Sequence, residues 1–317
     1  MANLFMFSRG LGATIFASGI VDHYKDEPSV IVTGAQTAPL FEDLPNLERL
    51  IIRDKLPWQK HWLHLWQDLR RTSWDHIFAL KGGSVSLFMK ARKKHIWVHR
   101  AFSLVHKVNQ ASSFAGSKTP LRPAVWISET RLARMKPKRP TLAVSPIPSW
   151  VGKQWPIEDY ITLLTKFCKT YPDAQVAIFA APNERDRVLP LFQALPKDQC
   201  IDTIGGHLLD SAALIKWSRV FIGNDSGLMH ISAAVRTPTI GLFGPTNERI
   251  FGPWSDETPS PHRIVRSGPY KGPLRGYMKQ DPKDTNCYMA DLSVETVWEV
   301  LQERWENAQN PELRMSA

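Results

Sequence analysis

Residues 219–253 read RVFIGNDSGLMHISAAVRTPTIGLFGPTNERIFGP. An apolar run ends at Gly223-Asn224, and Asp225-Ser226-Gly227 then opens a short segment rich in small residues. A second apolar run ends at Gly244-Pro245-Thr246. This order predicts a strand, a helix and a strand of one parallel sheet. Both turns then lie on the same side of the sheet, at the carboxyl ends of neighbouring strands, where ligands bind in such folds.

The start of the predicted helix suits an anionic ligand, because free backbone N–H groups point outward there with the positive end of the helix dipole. Gly227 lets a ligand approach the backbone closely, and Ser226 adds a hydroxyl donor. Asp225 can accept hydrogen bonds from sugar hydroxyls, and His230 lies about one turn after Ser226. Each residue taken singly fits an ordinary capped helix better. The linked set, together with Gly244-Pro245-Thr246, favours a binding site.

The same alternation of short apolar runs and helix-length amphipathic runs extends over the chain. Strands are predicted at 3–7, 29–34, 48–53, 75–80, 95–99, 140–146, 174–180, 219–224 and 238–244. Helices between them are typical of parallel sheets covered on both faces. The proline-punctuated stretch 136–140 reads as a linker. We therefore predict an α/β fold of two Rossmann-like, doubly wound domains that face a central cleft. They span residues 1–137 and 138–317, the second closed by a helix near 292–307.

The segment from Asp225 to Thr246 resembles the signature of glycosyltransferase family 9, the heptosyltransferases of lipopolysaccharide core assembly. That signature has Asp-(Ser/Thr)-Gly, two residues and His, a small-residue helix, a strand and a Phe-Gly-Pro-Thr turn. Further landmarks follow in the family's order. They are SWVGKQWP at 149–156, the acidic turn Pro182-Asn-Glu184-Arg, and Cys287-Tyr-Met289. The resemblance is strong from residue 140 onward and weaker before it.

The resemblance implies a GT-B fold whose second domain binds a nucleotide-activated sugar. Lys153 and Ser149 would contact the diphosphate, and Glu184 would hold the nucleoside ribose. The sugar and phosphates would be held by Asp225, Ser226, Gly227 and His230. A lysine suits its place, because the departing nucleotide diphosphate gains charge that must be stabilised. No metal or other cofactor is implied, since a helix end and a lysine replace the divalent cation. Without the family, Lys153 reads as a surface lysine and Glu184 as a favourable first-turn acid.

One position departs from the family, whose first domain opens with a strand and then a glycine followed by an aspartate. That aspartate is proposed to deprotonate the acceptor hydroxyl. Gly12 matches the glycine, but Ala13 follows it, and a methyl group cannot accept a proton. Either another group serves, or the transfer runs with little base assistance, or the protein binds the donor without transferring it. The acids and bases nearby in the sequence are Asp22, His23, Asp26 and Glu42. Arg9, Gly10 and Gly12 remain candidates for an anion-accepting loop on the acceptor side.

The net charge of +10 is unevenly distributed. Residues 1–140 hold 22 Lys and Arg against 10 Asp and Glu, whereas residues 141–317 hold 18 against 20. Basic runs lie at 90–100 (KARKKHIWVHR) and at 131–139 (RLARMKPKR). A one-sided field of this kind indicates an anionic partner, and an acidic glycolipid at the inner membrane surface fits the resemblance. Trp97 is then a candidate anchor among lipid headgroups. A basic face kept for solubility is the other interpretation.

Three scattered cysteines match neither a disulfide framework nor a metal-ligand spacing, and no run of about 18 apolar residues occurs. We therefore expect a cytoplasmic protein, peripheral on the membrane at most. No nucleic-acid-binding module pattern is present, so nucleic acid is not an expected partner. The sequence, read with the family, predicts a metal-independent, inverting transfer of heptose from ADP-heptose to an anionic lipopolysaccharide core acceptor. The alternative is a non-catalytic nucleotide-sugar-binding paralogue, which Ala13 favours.

Overall fold

The computed structural model describes residues 1–53, 60–81, 83–97, 104–269, 286–308 and 310–312. They form two compact units, each built on one parallel sheet. Unit 1 is drawn from residues 1–101 and 107–128, and unit 2 from residues 102–106 and 129–317. The predicted fold class, α/β with two doubly wound parallel sheets, is confirmed.

Unit 1 has a five-stranded sheet with a fully buried strand at its centre. Its strands are β1 (Asn3–Met6), β2 (Ser29–Thr33), β3 (Leu47–Ile52), β4 (Ser73–Ala79) and β5 (Lys90–Ile96). Its helices are α1 (Leu11–His23), α2 (Lys60–Leu69), α3 (Gly83–Ser86) and α4 (Lys107–Phe114). The strands lie in the order β3-β2-β1-β4-β5, so the direction of winding reverses between β1 and β4. All four side chains of β1 are buried, as expected for a strand at the centre of a sheet that is covered on both faces.

The edge strand β5 carries most of the first basic run. Its exposed cations are Lys90, Arg92, Lys93 and Lys94. Trp97, which follows the strand, is half-buried, and its ring centroid lies 5.1 Å from that of Phe114. The predicted headgroup anchor is therefore packed on a neighbouring ring of its own unit. The last three residues of the run, 98–100, lie outside the described residues.

Unit 2 has a six-stranded sheet in the order β11-β10-β9-β6-β7-β8. Its strands are β6 (Thr141–Ser145), β7 (Gln175–Ile178), β8 (Cys200–Asp202), β9 (Val220–Asn224), β10 (Thr239–Phe243) and β11 (Arg263–Arg266). Its helices are α5 (Glu129–Arg134), α6 (Ile157–Thr170), α7 (Arg185–Ala194), α8 (Leu208–Trp217), α9 (Gly227–Ala234), α10 (Glu248–Phe251) and α11 (Val294–Asn307). The order of strands reverses between β6 and β9, and such a switch point opens a crevice at the carboxyl ends of the two strands.

Helical spacing of apolar residues explains how the helices of unit 2 cover this sheet. In α6, Tyr160, Leu163, Leu164 and Phe167 recur at i, i+3, i+4 and i+7, and all four are fully buried. The predicted closing helix is present as α11, capped by Ser293, whose hydroxyl accepts from the Thr296 N–H at 3.3 Å. Within the described ranges, no helix combines the length and apolarity needed to cross a bilayer.

The second basic run is tied into unit 2. Arg131 donates to an Asp210 carboxylate oxygen at 2.8 Å, and Arg134 donates to the same oxygen at 2.5 Å. Arg139 donates to four backbone carbonyls. They belong to Pro172, Asp173, Ala174 and Asp198. Residues 129–137, which the sequence assigned to the first domain, therefore belong to unit 2, and the main boundary between the units lies before Glu129 rather than at the predicted residue 138.

This placement changes how the charge divides. Residues 1–128 hold 17 Lys and Arg against 9 Asp and Glu, a net of +8. Residues 129–317 hold 23 against 21, a net of +2. Unit 1 keeps most of the positive excess, but the run at 131–139 no longer contributes to it.

Candidate functional site

An ion pair lies at the switch point of unit 2. The Lys153 ammonium nitrogen is 2.7 Å from Asp225 Oδ2, and Asp225 is only 6% exposed. His230 Nε2 lies 3.6 Å from the other carboxylate oxygen. Lys153 ends a 3₁₀ turn at 151–153 in the connection that leaves β6, and Asp225 directly follows β9. Because β6 and β9 are neighbours, residues 72 positions apart meet at one edge of the sheet.

The Asp225 carboxylate is held in its charged form. Burial alone would raise the pKa of Asp225, but the neighbouring Lys153 ammonium and the His230 imidazole outweigh burial and hold that pKa well below its usual value. A buried carboxylate of this kind needs its cation, since an unpaired charge in a dry site is costly. The pair fixes the lysine ammonium at the mouth of the site.

The N-terminus of α9 has backbone N–H groups without partners in the helix and lacks a side-chain cap. Ser226 is the N-cap residue, in extended conformation, and its side chain makes no capping hydrogen bond. The Ser226 and Thr246 hydroxyls are both buried and have no hydrogen-bond partner among the described residues. Leaving one such group unsatisfied costs about 1–3 kcal/mol, and a ligand that accepts from these hydroxyls would remove that cost. Ser226 and Thr246 stand at the ends of the adjacent strands β9 and β10.

Asn224, which the sequence did not single out, holds the lysine turn in place. It is fully buried, its Nδ2 donates to the Pro146 carbonyl at 2.7 Å, and its Oδ1 accepts from the Trp155 N–H at 3.1 Å. The Trp155 indole in turn donates to the Leu292 carbonyl at 2.8 Å. A polar residue closing an otherwise apolar buried strand was the available signal, because buried amides are retained where they have partners.

Arg266, at the end of β11, holds the second turn. Its guanidinium donates to the carbonyls of Gly244 and Thr246 at 2.7 and 2.8 Å, and to a carboxylate oxygen of Glu248 at 2.6 Å. Gly244 itself must lack a side chain, since a Cβ there would lie 2.6 Å from Met289 Cγ. The predicted turn Gly244-Pro245-Thr246 is thus present, and Pro245 within it is buried.

The Cys287-Tyr-Met289 segment closes the site from a third side. The Cys287 thiol donates to the Gln154 carbonyl at 3.1 Å, and the Tyr288 N–H donates to the Gly152 carbonyl at 3.4 Å. Both contacts fall on the turn that carries Lys153. The segment therefore contacts both Gly244 and the lysine turn, so the three landmarks meet at one site.

Glu184 and Ser149, two further residues predicted to contact the donor, take no part in the Lys153–Asp225 ion pair. Glu184 Oε2 accepts from the Ala181 N–H at 2.9 Å, which is the ordinary bond of a first-turn acid. Arg187, 3.7 Å from Glu184, also bonds the Gln154 side chain next to Lys153. Ser149 is exposed in the loop after β6 and makes no hydrogen bond within the described part of the chain. Their roles at ribose and diphosphate stay predictions.

Unit 1 carries its own exposed helix start. Gly10 is the N-cap residue of α1 without a side-chain cap, Arg9 and Ala13 are exposed, and Gly12 is half-buried. The Arg9 stem lies against Gly34 at the end of β2, where an added Cβ would be 3.0 Å from Arg9 Cγ. Arg9 therefore directly precedes the start of a helix, whose first backbone N–H groups have no partner within the helix. The anion-accepting role of this loop stays a prediction.

The substitute bases named from the sequence mostly lie elsewhere in unit 1. Asp22 and His23 are in the last turn of α1, about 14 Å along the helix axis from Ala13. The Asp22 carboxylate accepts from the Trp126 indole at 3.2 Å, and Asp26 follows the helix end. Glu42 is exposed on the connection after β2. Asp22, His23 and Asp26 thus belong to the opposite edge of the sheet from Ala13.

Comparisons with known proteins agree with this architecture. A family model described as glycosyltransferase family 9 (heptosyltransferase) matches residues 62–263. Lipooligosaccharide heptosyltransferase 2 of Campylobacter jejuni is 24% identical over 270 residues, which cover 78% of this chain and 82% of that protein. Lipopolysaccharide heptosyltransferase 3 of Escherichia coli is 52% identical over 44 residues, 14% of this chain and 13% of the relative.

Solved structures show the same fold over the full length. The structure of E. coli ADP-heptose lps heptosyltransferase II superposes with a TM-score of 0.74 at 19% identity and covers 100% of both chains. E. coli heptosyltransferase WaaC with ADP gives a TM-score of 0.73 at 15% identity, over 96% of this chain and 100% of that one. Two doubly wound units and these superpositions define the GT-B fold. The family model covers well over half of the chain, and the protein belongs to glycosyltransferase family 9 (heptosyltransferase).

The Asp225–Lys153 pair predicts a pH-dependent contribution to stability. Because the folded-state pKa of Asp225 is depressed, the pair stabilises above the unfolded pKa, near 4, and its contribution is lost as the pH falls below that value. We expect Asp225→Asn to lower the free energy of unfolding by about 3 kcal/mol at neutral pH, and by less below about pH 4. Urea unfolding at both pH values measures the difference.

Asp202→Asn is the matched control for this test. Asp202 also pairs with a basic side chain, that of Arg185 at 2.8 Å, but both side chains are exposed. Its removal should cost less than about 1 kcal/mol. Equal losses in the two variants at neutral pH would contradict a special role for the buried pair.

Proposed function

We propose that this protein transfers heptose from an ADP-linked donor to an anionic lipopolysaccharide core acceptor, with inversion at the anomeric carbon. Family membership supports the class of reaction, and the relatives' names supply the heptose and the glycolipid. The observation that carries the donor site is the cluster of Lys153, Asp225 and two unpartnered hydroxyls around the start of α9. Such a cluster suits a diphosphate better than a neutral ligand.

The donor's diphosphate would lie against the N-terminus of α9. An ammonium has three N–H donors, and Asp225 uses one of those on Lys153, so two remain for phosphate oxygens. The hydroxyls of Ser226 and Thr246 would donate as well, which removes their cost of burial. Asp225 and His230 then remain at the sugar, and we assign no metal or cofactor, since the ammonium and helix end meet the diphosphate charge.

In the transfer step, an acceptor hydroxyl attacks the anomeric carbon from the face opposite the departing nucleotide. The new C–O bond forms as the bond to the diphosphate breaks, and the electron pair goes to the terminal phosphate oxygen. Lys153 stabilises the charge that develops on that oxygen. The hydroxyl proton leaves to solvent, because Ala13 offers no base. General base catalysis typically contributes only about 10²–10⁴-fold, so transfer survives without it.

Unit 1 would receive the acceptor. It holds a net charge of +8 and presents Arg9 at the exposed start of α1. An acidic core oligosaccharide is attracted by such a field. We place the reaction at the cytoplasmic face of the inner membrane, where the protein would be peripheral and meet the glycolipid.

A non-catalytic nucleotide-sugar-binding protein is the second candidate, favoured by the methyl group of Ala13 and by the distance of Asp22 and His23 from it. Both candidates require donor binding, whereas only the first requires product. Incubation with ADP-heptose and a core acceptor, followed by mass spectrometry of the glycolipid, separates them. Donor binding without any transfer or hydrolysis would favour the second.

A thermal-shift panel of nucleotide sugars tests the donor site. At about 100 times its Kd, a ligand adds about 2.7 kcal/mol to stability, which raises the Tm of a chain this size by about 5 °C. We expect that shift with ADP-sugars and much smaller ones with UDP- or GDP-sugars. Asp225→Asn should reduce the shift, because Lys153 loses the carboxylate that holds it, whereas Asp202→Asn should not. The absence of a shift with every nucleotide sugar would contradict the donor site.

A further inference from the structure

Two large apolar side chains project from a turn of unit 1 directly before the basic edge strand. Phe88 is 75% exposed and Leu87 is 59% exposed, and both lie between α3 and β5. Isolated exposed apolar residues are common on protein surfaces, but adjacent ones beside a cationic strand are not explained by chance exposure alone. We call Leu87 and Phe88 the apolar tip.

The tip is held in this exposed position by its own backbone contacts. The Trp66 indole donates to the Phe88 carbonyl at 3.4 Å, and the Lys94 ammonium donates to the Leu87 carbonyl at 2.9 Å. The next residue, Met89, is buried in the core of the unit. The backbone is thus tied from both sides, and the two side chains remain outside.

A further exposed apolar residue and exposed cations lie on α2 and β5, the two elements that bond the backbone of the tip. Leu63, 55% exposed, lies one turn before Trp66 on α2, and the Arg70 guanidinium lies 4.8 Å from the Trp66 ring centroid, one turn after it. Lys90 and Lys93 on β5 are exposed and hold no ion pair within the described residues. Cations on an edge strand hinder its pairing with strands of other molecules, which explains the lysines of β5. It does not explain the exposure of Leu87 and Phe88.

We propose that the apolar tip and the lysines of β5 form a docking surface for an anionic phospholipid bilayer. Apolar side chains that enter the acyl boundary, with cations around them at the headgroups, are the two elements of peripheral membrane binding. The cations complement acidic lipid, and each one near such a surface adds about fivefold to binding. This inference rests on the proposed function, because a glycolipid acceptor gives the protein a reason to bind a membrane. Vesicle binding involves neither donor nor transfer, so the docking surface and the proposed function can fail independently.

Co-sedimentation of the full chain with vesicles tests the surface. The vesicles are pure phosphatidylcholine, or three parts of it to one part phosphatidylglycerol. We expect the wild type to prefer the anionic vesicles, and the double variant Leu87→Ser, Phe88→Ser to bind them at least about tenfold more weakly. Lys90→Gln, Lys93→Gln should remove most of the preference for anionic lipid. Lys94 and Arg92 are left unchanged, because they bond the Leu87 carbonyl and Asp75.

Leu189→Ser is the matched control, since Leu189 is 45% exposed on α7 of unit 2 and has no neighbouring basic strand. It should bind vesicles as the wild type does. All variants change exposed side chains, so circular dichroism and Tm should be unaltered. Binding to neither vesicle, equal binding to both, or wild-type binding by the tip variant would overturn the proposal. Salt-sensitive binding to duplex DNA that the tip variant keeps in full, without vesicle binding, would point to nucleic acid instead.

Discussion

Lys153→Ala is expected to lower kcat for sugar transfer by about 10²–10³-fold, the loss typical when one preorganised donor to a developing oxyanion is removed. The affinity for ADP should fall less, since the helix end and the hydroxyls of Ser226 and Thr246 still hold the diphosphate. The loss is larger in kcat than in affinity because the terminal phosphate oxygen gains most of its charge as the bond to the sugar breaks. Initial rates of ADP release at saturating donor measure the effect.

Lys166→Ala is the control for this experiment. Lys166 also forms an ion pair in unit 2, with Glu295 at 3.0 Å, but both side chains are on the surface of α6 and α11. Its removal should leave kcat unchanged. Lys153→Arg keeps the charge beside Asp225 but replaces a compact ammonium with a planar guanidinium, so an intermediate kcat is expected. An unaltered kcat in Lys153→Ala would remove the lysine from the mechanism.

The sequence named Lys153 and Asp225 as donor-site candidates, but it did not predict that they bond to each other. Lys153 and Asp225 each follow an apolar run, and the resemblance assigns both to the donor. Their direct bond depends on β6 and β9 being neighbours, and strand order is decided by packing across the whole unit. The carboxylate therefore does two things that its motif does not reveal, since it holds the lysine and loses its own tendency to bind a proton.

Arg266 and the strands β8 and β11 were missed for one physical reason, which is the shortness of these strands. Arg266 stands on β11, a four-residue strand, and β8 has three residues, lengths at which periodicity carries little information.

The basic run at 131–139 shows why a count of charges was misleading. Formal charge does not distinguish a solvated arginine from Arg139, which is bonded to backbone carbonyls. Alternation of strands and helices, by contrast, predicted both sheets, because the central strands β1, β6 and β9 consist mostly of apolar residues and are fully buried.

Ala13→Asp is expected to raise kcat by about 10²-fold or more, because it restores a carboxylate where the family carries its proposed base. The position tolerates the change, since Ala13 is exposed in the first turn of α1, where an acid interacts favourably with the helix dipole. Transfer rates at saturating donor and acceptor measure the gain. The affinity for ADP should be unaltered, as the substitution lies in unit 1.

Ala13→Asn separates the proton-accepting role from size and polarity, because an amide has nearly the shape of a carboxylate but is not a base. If proton removal limits the wild type, only the aspartate variant accelerates transfer. Equal rates in both variants and the wild type would mean that proton removal does not limit transfer or that another group already serves, and Glu42→Gln would separate these two cases. A wild type without activity that gains it in Ala13→Asp would instead identify a donor-binding protein whose chemistry was lost through this one side chain.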